Sequence, residues 1–346
     1  MKPIVSADDT GSWCDYLIPL PHEMRVSGTV RIAPDQLGIV TSPRASSMVT
    51  QAVEELRAAY RTKSGCNPTG TSFLIHVGRL SETGAIHGQA GNDIARLRKA
   101  PNPDQAYVIR PIGGHHLVVA GLEDKGVFYG VQTLGQLLTA KLTKAEAVVP
   151  LATVTDWPDF EERGLWNSGL GTREGIPWLA GMKLNFEHIN HPIDLNPQEQ
   201  KCPPLPIDLI EWARARAFHI LPHCWHYDFW NLSPALREHY PDLIGKGDSA
   251  RNPSSVANPG YHPEARCPCA SNPLLSKLLA EWMQSAAEQG VREVSLWLTE
   301  YQPCRCACDR CTREGSHQLL LETRASISAI REARKRYPDL VGRLFL

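Results

Sequence analysis

A glutamate follows a strand-like run in the last third of the chain. Val294, Leu296 and Leu298 alternate with other residues at the two-residue period of a β-strand, and Glu300 comes directly afterwards. In parallel α/β architectures, residues at the carboxyl ends of strands perform the chemistry. We therefore take Glu300 as the candidate catalytic acid, the alternative being a solvated or structural carboxylate.

Histidines and aromatic residues gather at the ends of the preceding predicted strands. Aromatic faces stack on the C–H face of a pyranose, and imidazoles hydrogen bond to its hydroxyls, so this composition suits a sugar. Packing of the rings over loops is the alternative. A catalytic zinc is disfavoured because the H-x-x-H spacings do not lie on a helix. The predicted substrate-binding residues are His188, His191, His223, Trp225, His226, Trp297 and Thr299.

Four cysteines have the spacing of a metal site. Cys306, Cys308 and Cys311 form C-x-C-x-x-C, and Cys269 ends an earlier loop. If successive strands are neighbours, the four thiols meet, and four thiolates suit a structural zinc. Disulfides and free thiols are the alternatives, and Cys267 or Cys304 could replace a ligand. Full thiolate coordination leaves no position for water, so we expect a structural role.

The elements that must position these residues fall into two predicted domains, 1–150 and 151–346. In the first, predicted strands at 28–32, 72–77, 106–110 and 116–120 accompany helices at 47–60 and 126–138. This is an α+β pattern. In the second, helices and strands alternate through a fifth strand at 340–346, which predicts an α/β (β/α)8 TIM-type barrel, incomplete with about five strands in this chain.

Several motifs resemble a known family. Residues 17–23 read L-I-P-L-P-H-E, and residues 126–138 read G-V-F-Y-G-V-Q-T-L-G-Q-L-L after Tyr107 and two paired strands. Both stretches resemble the non-catalytic domain that precedes the catalytic barrel in glycoside hydrolase family 20, the β-N-acetylhexosaminidase superfamily. The C-x-S-N-P and C-x-C-x-x-C motifs are similar to a bacterial glycosidase-like branch of that superfamily.

The resemblance implies roles for further residues. Arg163-Gly164 resembles the start of the first barrel strand, where the family's arginine binds the sugar, and Lys183-Leu184-Asn185 resembles the M-K-L-N turn into the second strand. Arg163 is therefore an implied substrate-binding residue. A salt-bridge role is the alternative, because an arginine that opens a strand commonly pairs with a carboxylate.

The implied activity is hydrolysis of a glycosidic bond, with Glu300 as general acid/base. In the family, the substrate's acetamido group is the nucleophile, held by an aspartate immediately before the acid glutamate. Here that residue is Thr299, which cannot supply a charge. Either the chemistry differs, a carboxylate such as Asp228 or Asp194 substitutes, or the protein is an inactive carbohydrate-binding remnant or a fragment that needs further barrel strands. A zinc enzyme is a third reading.

Composition restricts the partners. Lys plus Arg number 36 and Asp plus Glu 37, so nucleic acid is not expected, and no apolar run reaches the roughly 18 residues that a membrane span needs. The amino terminus does not resemble a signal peptide, which predicts a cytoplasmic protein as given, or a secreted or periplasmic one if that terminus is incomplete. A carbohydrate is the expected substrate. The oligomeric state does not follow from the sequence.

Overall fold

The structure is a computed structural model, and it describes most of the chain. The described residues are 10–80, 85–86, 89–90, 93–165, 168–191, 193–195, 198, 201–224, 227, 233–252, 265–299, 303–313 and 317–345. Within these ranges, every helix is too short or too polar to cross a bilayer.

The first part of the chain mixes helices and strands. In order, its elements are α1 (Thr10–Cys14), β1 (Glu23–Ile32), β2 (Leu37–Thr41), α2 (Ser47–Ser64), β3 (Phe73–Arg79), β4 (Ala85–Ile86), β5 (Gln89–Ala90), α3 (Asp93–Leu97), β6 (Tyr107–Ile112), β7 (His116–Gly121), α4 (Asp124–Ala140) and β8 (Ala147–Asp156). The predicted strands and helices of this part are confirmed. The sequence analysis missed β2 and β8.

Six of these strands form one mixed sheet, in the order β1-β8-β6-β7-β3-β2. β8 pairs antiparallel with β1 and β6, and β6 pairs antiparallel with β7, whereas β3 is parallel to both β7 and β2. The helices α2 and α4 bury apolar faces and pack together. The predicted α+β domain is confirmed. Its predicted end at residue 150 falls inside β8 and stays a prediction.

Two glycines explain the G-V-F-Y-G motif at the start of α4. A Cβ at Gly126 would lie 2.2 Å from the backbone oxygen of Ala106, and one at Gly130 would lie 2.7 Å from the Val119 side chain. Any larger residue would push the helix away from β6 and β7. Glycine at both positions therefore allows the helix to approach the sheet closely.

The later part of the chain alternates strands and helices, as predicted. Its described elements are β9 (Gly164–Leu165), α5 (Gly175–Gly181), β10 (Phe186–Asn190), α6 (Ile207–Arg214), β11 (His219–Cys224), α7 (Pro234–His239), α8 (Pro273–Glu288), β12 (Glu293–Trp297), α9 (Asp309–Arg313), α10 (Gln318–Arg336) and β13 (Val341–Phe345).

These strands form a five-stranded parallel sheet in the order β13-β12-β11-β10-β9. Neighbours in the sheet are successive in the chain, with helices in the connections, which is the βαβ arrangement of an α/β protein. β12 is buried on both faces, as expected for a strand of a covered parallel sheet. The sheet is consistent with part of a barrel.

The contacts divide the chain into two compact units. One contains the described residues as far as Phe186 together with Glu211–His219, and the other contains Glu187–Ile210 and Ile220–Leu346.

A buried ion pair stabilises the first unit. The Lys183 ammonium lies 2.9 Å from Asp156 Oδ2 and donates to the Tyr107 hydroxyl oxygen at 2.8 Å, and that hydroxyl also donates to Asp156 Oδ2 at 2.7 Å. His22 donates its backbone N–H to Asp156 Oδ1. Lys183 has a backbone φ of 60°, in the left-handed region that most residues avoid. The ion pair therefore holds a strained residue in place.

The electrostatics of this pair follow from its burial. Burial raises the pKa of Asp156, but the Lys183 ammonium and hydrogen bonds from Lys183, Tyr107 and His22 outweigh it and hold the pKa below its usual value. Burial also lowers the pKa of Lys183 and raises that of Tyr107. Each partner is stable in its buried position only while the other is present.

Replacing one partner is therefore expected to destabilise the fold strongly. Lys183→Met keeps the side-chain length but leaves the Asp156 carboxyl without its cation, and we expect a loss of about 3–5 kcal/mol in the free energy of unfolding, measured by urea denaturation. Arg31→Met is the control, because the Arg31–Glu146 pair is exposed and is expected to contribute under about 1 kcal/mol. Equal losses of unfolding free energy in the two variants would contradict a stabilising function for the buried ion pair.

The same pair predicts a pH dependence. Because the folded-state pKa of Asp156 lies below its usual value of about 3.9, the stability that it contributes is present above about pH 4 and is lost as the pH falls through the lowered pKa. The difference in unfolding free energy between the wild type and Lys183→Met should therefore grow from about pH 2 to pH 6. Denaturation series across this range measure it, and a pH-independent difference would contradict the assignment.

Candidate functional site

Four rings from neighbouring strands of the second unit meet in one group, which we call the ring cluster. It consists of His188 of β10, His223 of β11, Trp297 of β12 and Phe345 of β13. The ring centroids of His188 and His223 are 5.1 Å apart, and those of His223 and Trp297 are 5.4 Å apart. Phe345 lies edge-on to both His188 and Trp297, at 5.5 and 5.4 Å. Three predicted substrate-binding residues are thus brought together.

Exposure differs within the ring cluster. His223 and Trp297 are 1% and 7% exposed, whereas Phe345 is 36% exposed and His188 is half-buried. A bound sugar would therefore meet His188 and Phe345 before it met Trp297, whose indole is packed between His223 and Phe345. Phe345 was not predicted as a binding residue. The binding roles of the predicted residues stay predictions.

His191 follows β10 and is tied to the next strand. Its backbone N–H donates to the backbone oxygen of His223 at 2.9 Å, and its side chain is half-buried. Burial lowers the pKa of the His191 imidazole. At neutral pH this ring is therefore uncharged and can donate one hydrogen bond and accept another, as a sugar hydroxyl requires.

Thr299 is held by a buried carboxyl group of α10. The Thr299 backbone N–H donates to Glu322 Oε2 at 2.8 Å, and its hydroxyl donates to Glu322 Oε1 at 2.7 Å. Thr299 is 2% exposed and Glu322 is 0% exposed. Because the hydroxyl hydrogen is used in this bond, Thr299 could only accept a hydrogen bond from a substrate.

The other predicted residues take different places. Glu300, Trp225 and His226 lie outside the described residues. Arg163 lies in the first unit, where its guanidinium donates to the backbone oxygens of Lys183, Phe160 and Glu161 and to Gln105 Oε1. It also lines a cavity of about 350 Å³ beside the Lys183–Asp156 pair. These contacts show a structural function for Arg163, and its binding role stays a prediction.

The four predicted thiols meet in the second unit, and we call them the thiol cluster: Cys269, Cys306, Cys308 and Cys311. Cys269 Sγ lies 3.5 Å from Cys308 Sγ and 3.9 Å from Cys311 Sγ, and all four sulfur atoms lie within 4.8 Å of one another. A disulfide needs sulfur atoms about 2.05 Å apart, so these are four separate thiols. All ten cysteines of the chain lie in its described part, and each is a reduced thiol.

Two segments carry the thiol cluster, one with Cys269 and one with the other three cysteines, and backbone hydrogen bonds join both to a third loop. Cys269 N–H donates to Leu243 O, and Ala307 N–H donates to Lys246 O, both at 2.8 Å. Gly247 has a φ of +83°, and a Cβ there would also lie 2.8 Å from the Ala307 side chain, so the turn requires glycine. Backbone hydrogen bonds and a tight glycine turn thus bring the thiols together.

The cluster already favours thiolate at one sulfur. A hydrogen bond from Cys269 lowers the pKa of Cys306 to about 5 and raises that of Cys269. The backbone N–H of Lys246 also donates to Cys306 Sγ at 3.3 Å. A cation that enters the cluster would displace the remaining thiol protons.

The geometry fits a structural metal. Four thiolates at about 2.3 Å in a tetrahedron place their sulfur atoms about 3.8 Å apart, close to the separations that are present. The cluster could therefore hold such an ion, with Cys269, Cys306, Cys308 and Cys311 as its ligands. It would leave no open position for water, so its function would be to join the loops.

The sequence analysis missed Glu322 and its neighbour Gln318. The signal was present, since polar residues recur every four positions of the predicted last helix, beside an apolar row with the same spacing. The two rows are Gln318, Glu322, Ser326 and Leu321, Ala325, Ala329. Asp156, which ends β8 and pairs with Lys183, was also not among the predicted functional residues.

Comparison with known proteins relates the first part of the chain to a family. Residues 15–157 match the family model described as glycosyl hydrolase family 20, domain 2. This agrees with the resemblance of the L-I-P-L-P-H-E and G-V-F-Y-G motifs.

Solved structures of glycoside hydrolase family 20 share the fold. A chitobiase from Flavobacterium johnsoniae is similar at a TM-score of 0.63 and 15% identity, over 94% of this chain and 52% of that one. An exo-β-N-acetylglucosaminidase from Vibrio harveyi gives 0.60 and 15%, over 96% and 55%. A β-N-acetylhexosaminidase from Streptomyces coelicolor gives 0.57 and 17%, over 95% and 66%. The chain thus spans about half the length of the first two.

The thiol cluster predicts a bound metal. Protein purified with zinc present should carry about one ion per chain by elemental analysis, and Cys306→Ser and Cys308→Ser should each lose most of it. Acidification should release the ion, since protons compete for the thiolates. Cys66→Ser is the control, because Cys66 lies in the first unit and contacts Ser64. Wild-type protein that retains under about one ion per ten chains would contradict the site.

Proposed function

We propose that this chain is part of a glycoside hydrolase that acts on N-acetylhexosamine-containing glycosides, with Glu300 as general acid/base. The observation that carries the proposal is the shared fold with β-N-acetylhexosaminidase structures over 94–96% of the chain. The five-stranded sheet would be part of the catalytic barrel. Glu300 follows β12 in the sequence, and (β/α)8 barrels hold their active sites at the carboxyl ends of their strands.

The site's composition supports a sugar substrate. Cleavage of a glycosidic bond needs an acid that protonates the leaving oxygen and a group that stabilises the oxocarbenium-like transition state. Glu300 would be the acid. His188 and the neutral His191 would hydrogen bond to hydroxyls, and Phe345 would offer an apolar edge. Trp225 and His226 are proposed to add to this surface, and Arg163 to bind the sugar as in the family.

Thr299 sets this chain apart from the family pattern. Threonine has no carboxylate with which to hold an acetamido group as the family's aspartate does, and its hydroxyl hydrogen is already bonded to Glu322. Another acid, Asp194 or Asp228, would have to take that function if the acetamido group is the nucleophile. Asp194 lies in the loop after β10, where its backbone N–H donates to Lys201 O at 2.8 Å, and Asp228 lies outside the described residues.

Zinc is the proposed occupant of the thiol cluster, because four thiolates in a tetrahedron match its preferred coordination. Its function would be structural. A catalytic zinc would need an open coordination position, and four thiolate ligands leave none.

A carbohydrate-binding protein without catalysis is the second candidate. The observation that favours it is the bonding of Thr299 to Glu322, since the position that carries the family's second catalytic carboxylate is occupied by a buried structural residue. This candidate keeps the histidines and Phe345 as a sugar-binding surface but assigns no proton transfer to Glu300.

Glu300→Gln separates the two candidates. We expect the full-length gene product to hydrolyse aryl N-acetylhexosaminides, and this substitution to lower kcat by about 10²–10⁴-fold because the amide cannot donate the proton. Release of the aryl alcohol measures the rate. Glu332→Gln is the control, since Glu332 is an exposed residue of α10 paired with Lys335.

Two outcomes would contradict the proposal, the first its hydrolytic activity and the second its assignment of the acid. Wild-type protein that binds N-acetylglucosamine without turnover of any aryl glycoside would support the binding protein. Turnover that survives in Glu300→Gln would show that another residue is the acid.

A further inference from the structure

Three buried polar side chains lie one helical turn apart on α10. Gln318, Glu322 and Ser326 are 2%, 0% and 0% exposed, and their spacing of four residues places them on one face of the helix. We call them the α10 polar row. Buried polar groups are costly unless they are hydrogen-bonded, so their partners identify what the helix is built to hold.

Each member of the row holds a different segment. Glu322 accepts the Thr299 backbone N–H and hydroxyl, directly after β12. Ser326 Oγ lies 2.9 Å from the hydroxyl oxygen of Tyr227, which follows β11 and is fully buried. α10 is therefore bonded to the ends of two adjacent strands of the parallel sheet.

Gln318 connects this row to the thiol cluster. Its Nε2 donates to the Pro268 backbone oxygen at 2.9 Å, and its Oε1 accepts the Cys306 backbone N–H at 3.2 Å. Pro268 precedes Cys269, so the amide bridges the backbone beside two thiols from different loops. The same Nε2 also donates to Glu322 Oε1 at 2.8 Å.

We propose that Glu322 is the positioning residue of Thr299, which precedes Glu300 in the sequence, and that a metal in the thiol cluster maintains that position through Gln318. The consequence for catalysis rests on the proposed function, whereas the positioning itself does not. Glu300 is one peptide bond beyond Thr299, so fixing the Thr299 amide and hydroxyl fixes where the next residue begins.

A carboxylate is suited to this function. Its two oxygens accept from the Thr299 N–H, the Thr299 hydroxyl and Gln318 Nε2, which are all donors. Glutamine at position 322 would direct an NH2 group at one of these donors, so at least one bond would be lost although the side-chain shape is almost unchanged. Glu322→Gln thus tests hydrogen bonding and not volume.

The metal dependence follows from the two backbone contacts of Gln318. While an ion holds Cys269 and Cys306 at fixed separation, Pro268 O and Cys306 N–H remain in reach of one amide. Without the ion the thiols no longer fix that separation, and the amide cannot keep both contacts and its bond to Glu322. The Thr299 segment should then loosen although it touches no ligand of the metal.

Hydrogen–deuterium exchange at the Thr299 amide tests this without any substrate. In zinc-loaded full-length protein we expect Glu322→Gln to raise its exchange rate about tenfold or more, while Glu332→Gln on the same helix leaves it unchanged. Removal of zinc from the wild type by a chelator should raise the rate similarly. Zinc removal should add little in Glu322→Gln, because both changes break the same linkage.

The cobalt-substituted protein shows whether Glu322→Gln alters only the position of Thr299 or also disrupts the metal site. Glu322→Gln should keep the thiolate–cobalt absorption of the wild type, since the ligands are untouched, and still show the faster Thr299 exchange. If this variant does not fold, Thr299→Val, which removes the hydroxyl donor, and zinc removal from the wild type give the same comparison.

If the wild type is a hydrolase, Glu322→Gln should lower kcat about tenfold with KM changed by less than about twofold and the pH profile kept, because the acid is displaced and not removed. An inactive wild type would overturn the proposed function, and the exchange measurement would still decide whether Glu322 positions Thr299.

Unchanged Thr299 exchange in Glu322→Gln would contradict the proposal that Glu322 positions Thr299. Faster exchange at Cys306 and Ala307 on zinc removal, with Thr299 unaffected, would overturn the metal linkage.

Discussion

The buried carboxyl group of Glu322 is the constraint on which the second unit depends. It has no exposed surface and accepts hydrogen bonds from Thr299 and Gln318. A carboxyl group in such a place costs several kcal/mol unless its oxygens are bonded, so the segments that supply the donors must stay where they are. The end of β12, the start of α10 and the loops of the thiol cluster are joined in consequence.

Both units use buried polar interactions to fix the conformation of turns and loops. In the first, Lys183, Asp156 and Tyr107 hold a turn with a left-handed residue. In the second, the loops that bear the thiol cluster contain small residues and are held by backbone hydrogen bonds and sulfur atoms. Such networks depend on all of their members, because the loss of one leaves a buried group without its partner.

Much of the fold could be predicted from periodicity. The apolar rows of α2, α4, α8 and α10 and the alternation in β3 are local signals, and the structure confirms those elements. β8 was missed because Pro150 interrupts its apolar run. The structure accommodates this proline opposite Thr29, next to the irregular register between Val26 and Thr29, where an unpaired backbone group is tolerated.

The candidate site was predictable only in part. Thiol spacing and strand order correctly predicted that four cysteines meet, because C-x-C-x-x-C is a recognisable motif and the strand order brings Cys269 beside it. The spacing of polar residues on α10 marks Glu322, but no motif identifies Thr299 as its partner, and a glutamate within a helix is usually on the surface. For Arg163 a motif indicated sugar binding, whereas the structure shows hydrogen bonds from its guanidinium to backbone oxygens of other segments. No sequence motif predicts those contacts.

We propose that a sugar binds beside β12 and that Glu322 holds Thr299 at the end of that strand. A crystal structure of the full-length gene product soaked with N-acetylglucosamine would test both statements together. Sugar density is expected against His188, His191 and Phe345, with Thr299 still bonded to Glu322. Sugar bound elsewhere on the protein, or Thr299 turned away from Glu322 and toward the sugar, would contradict the proposal.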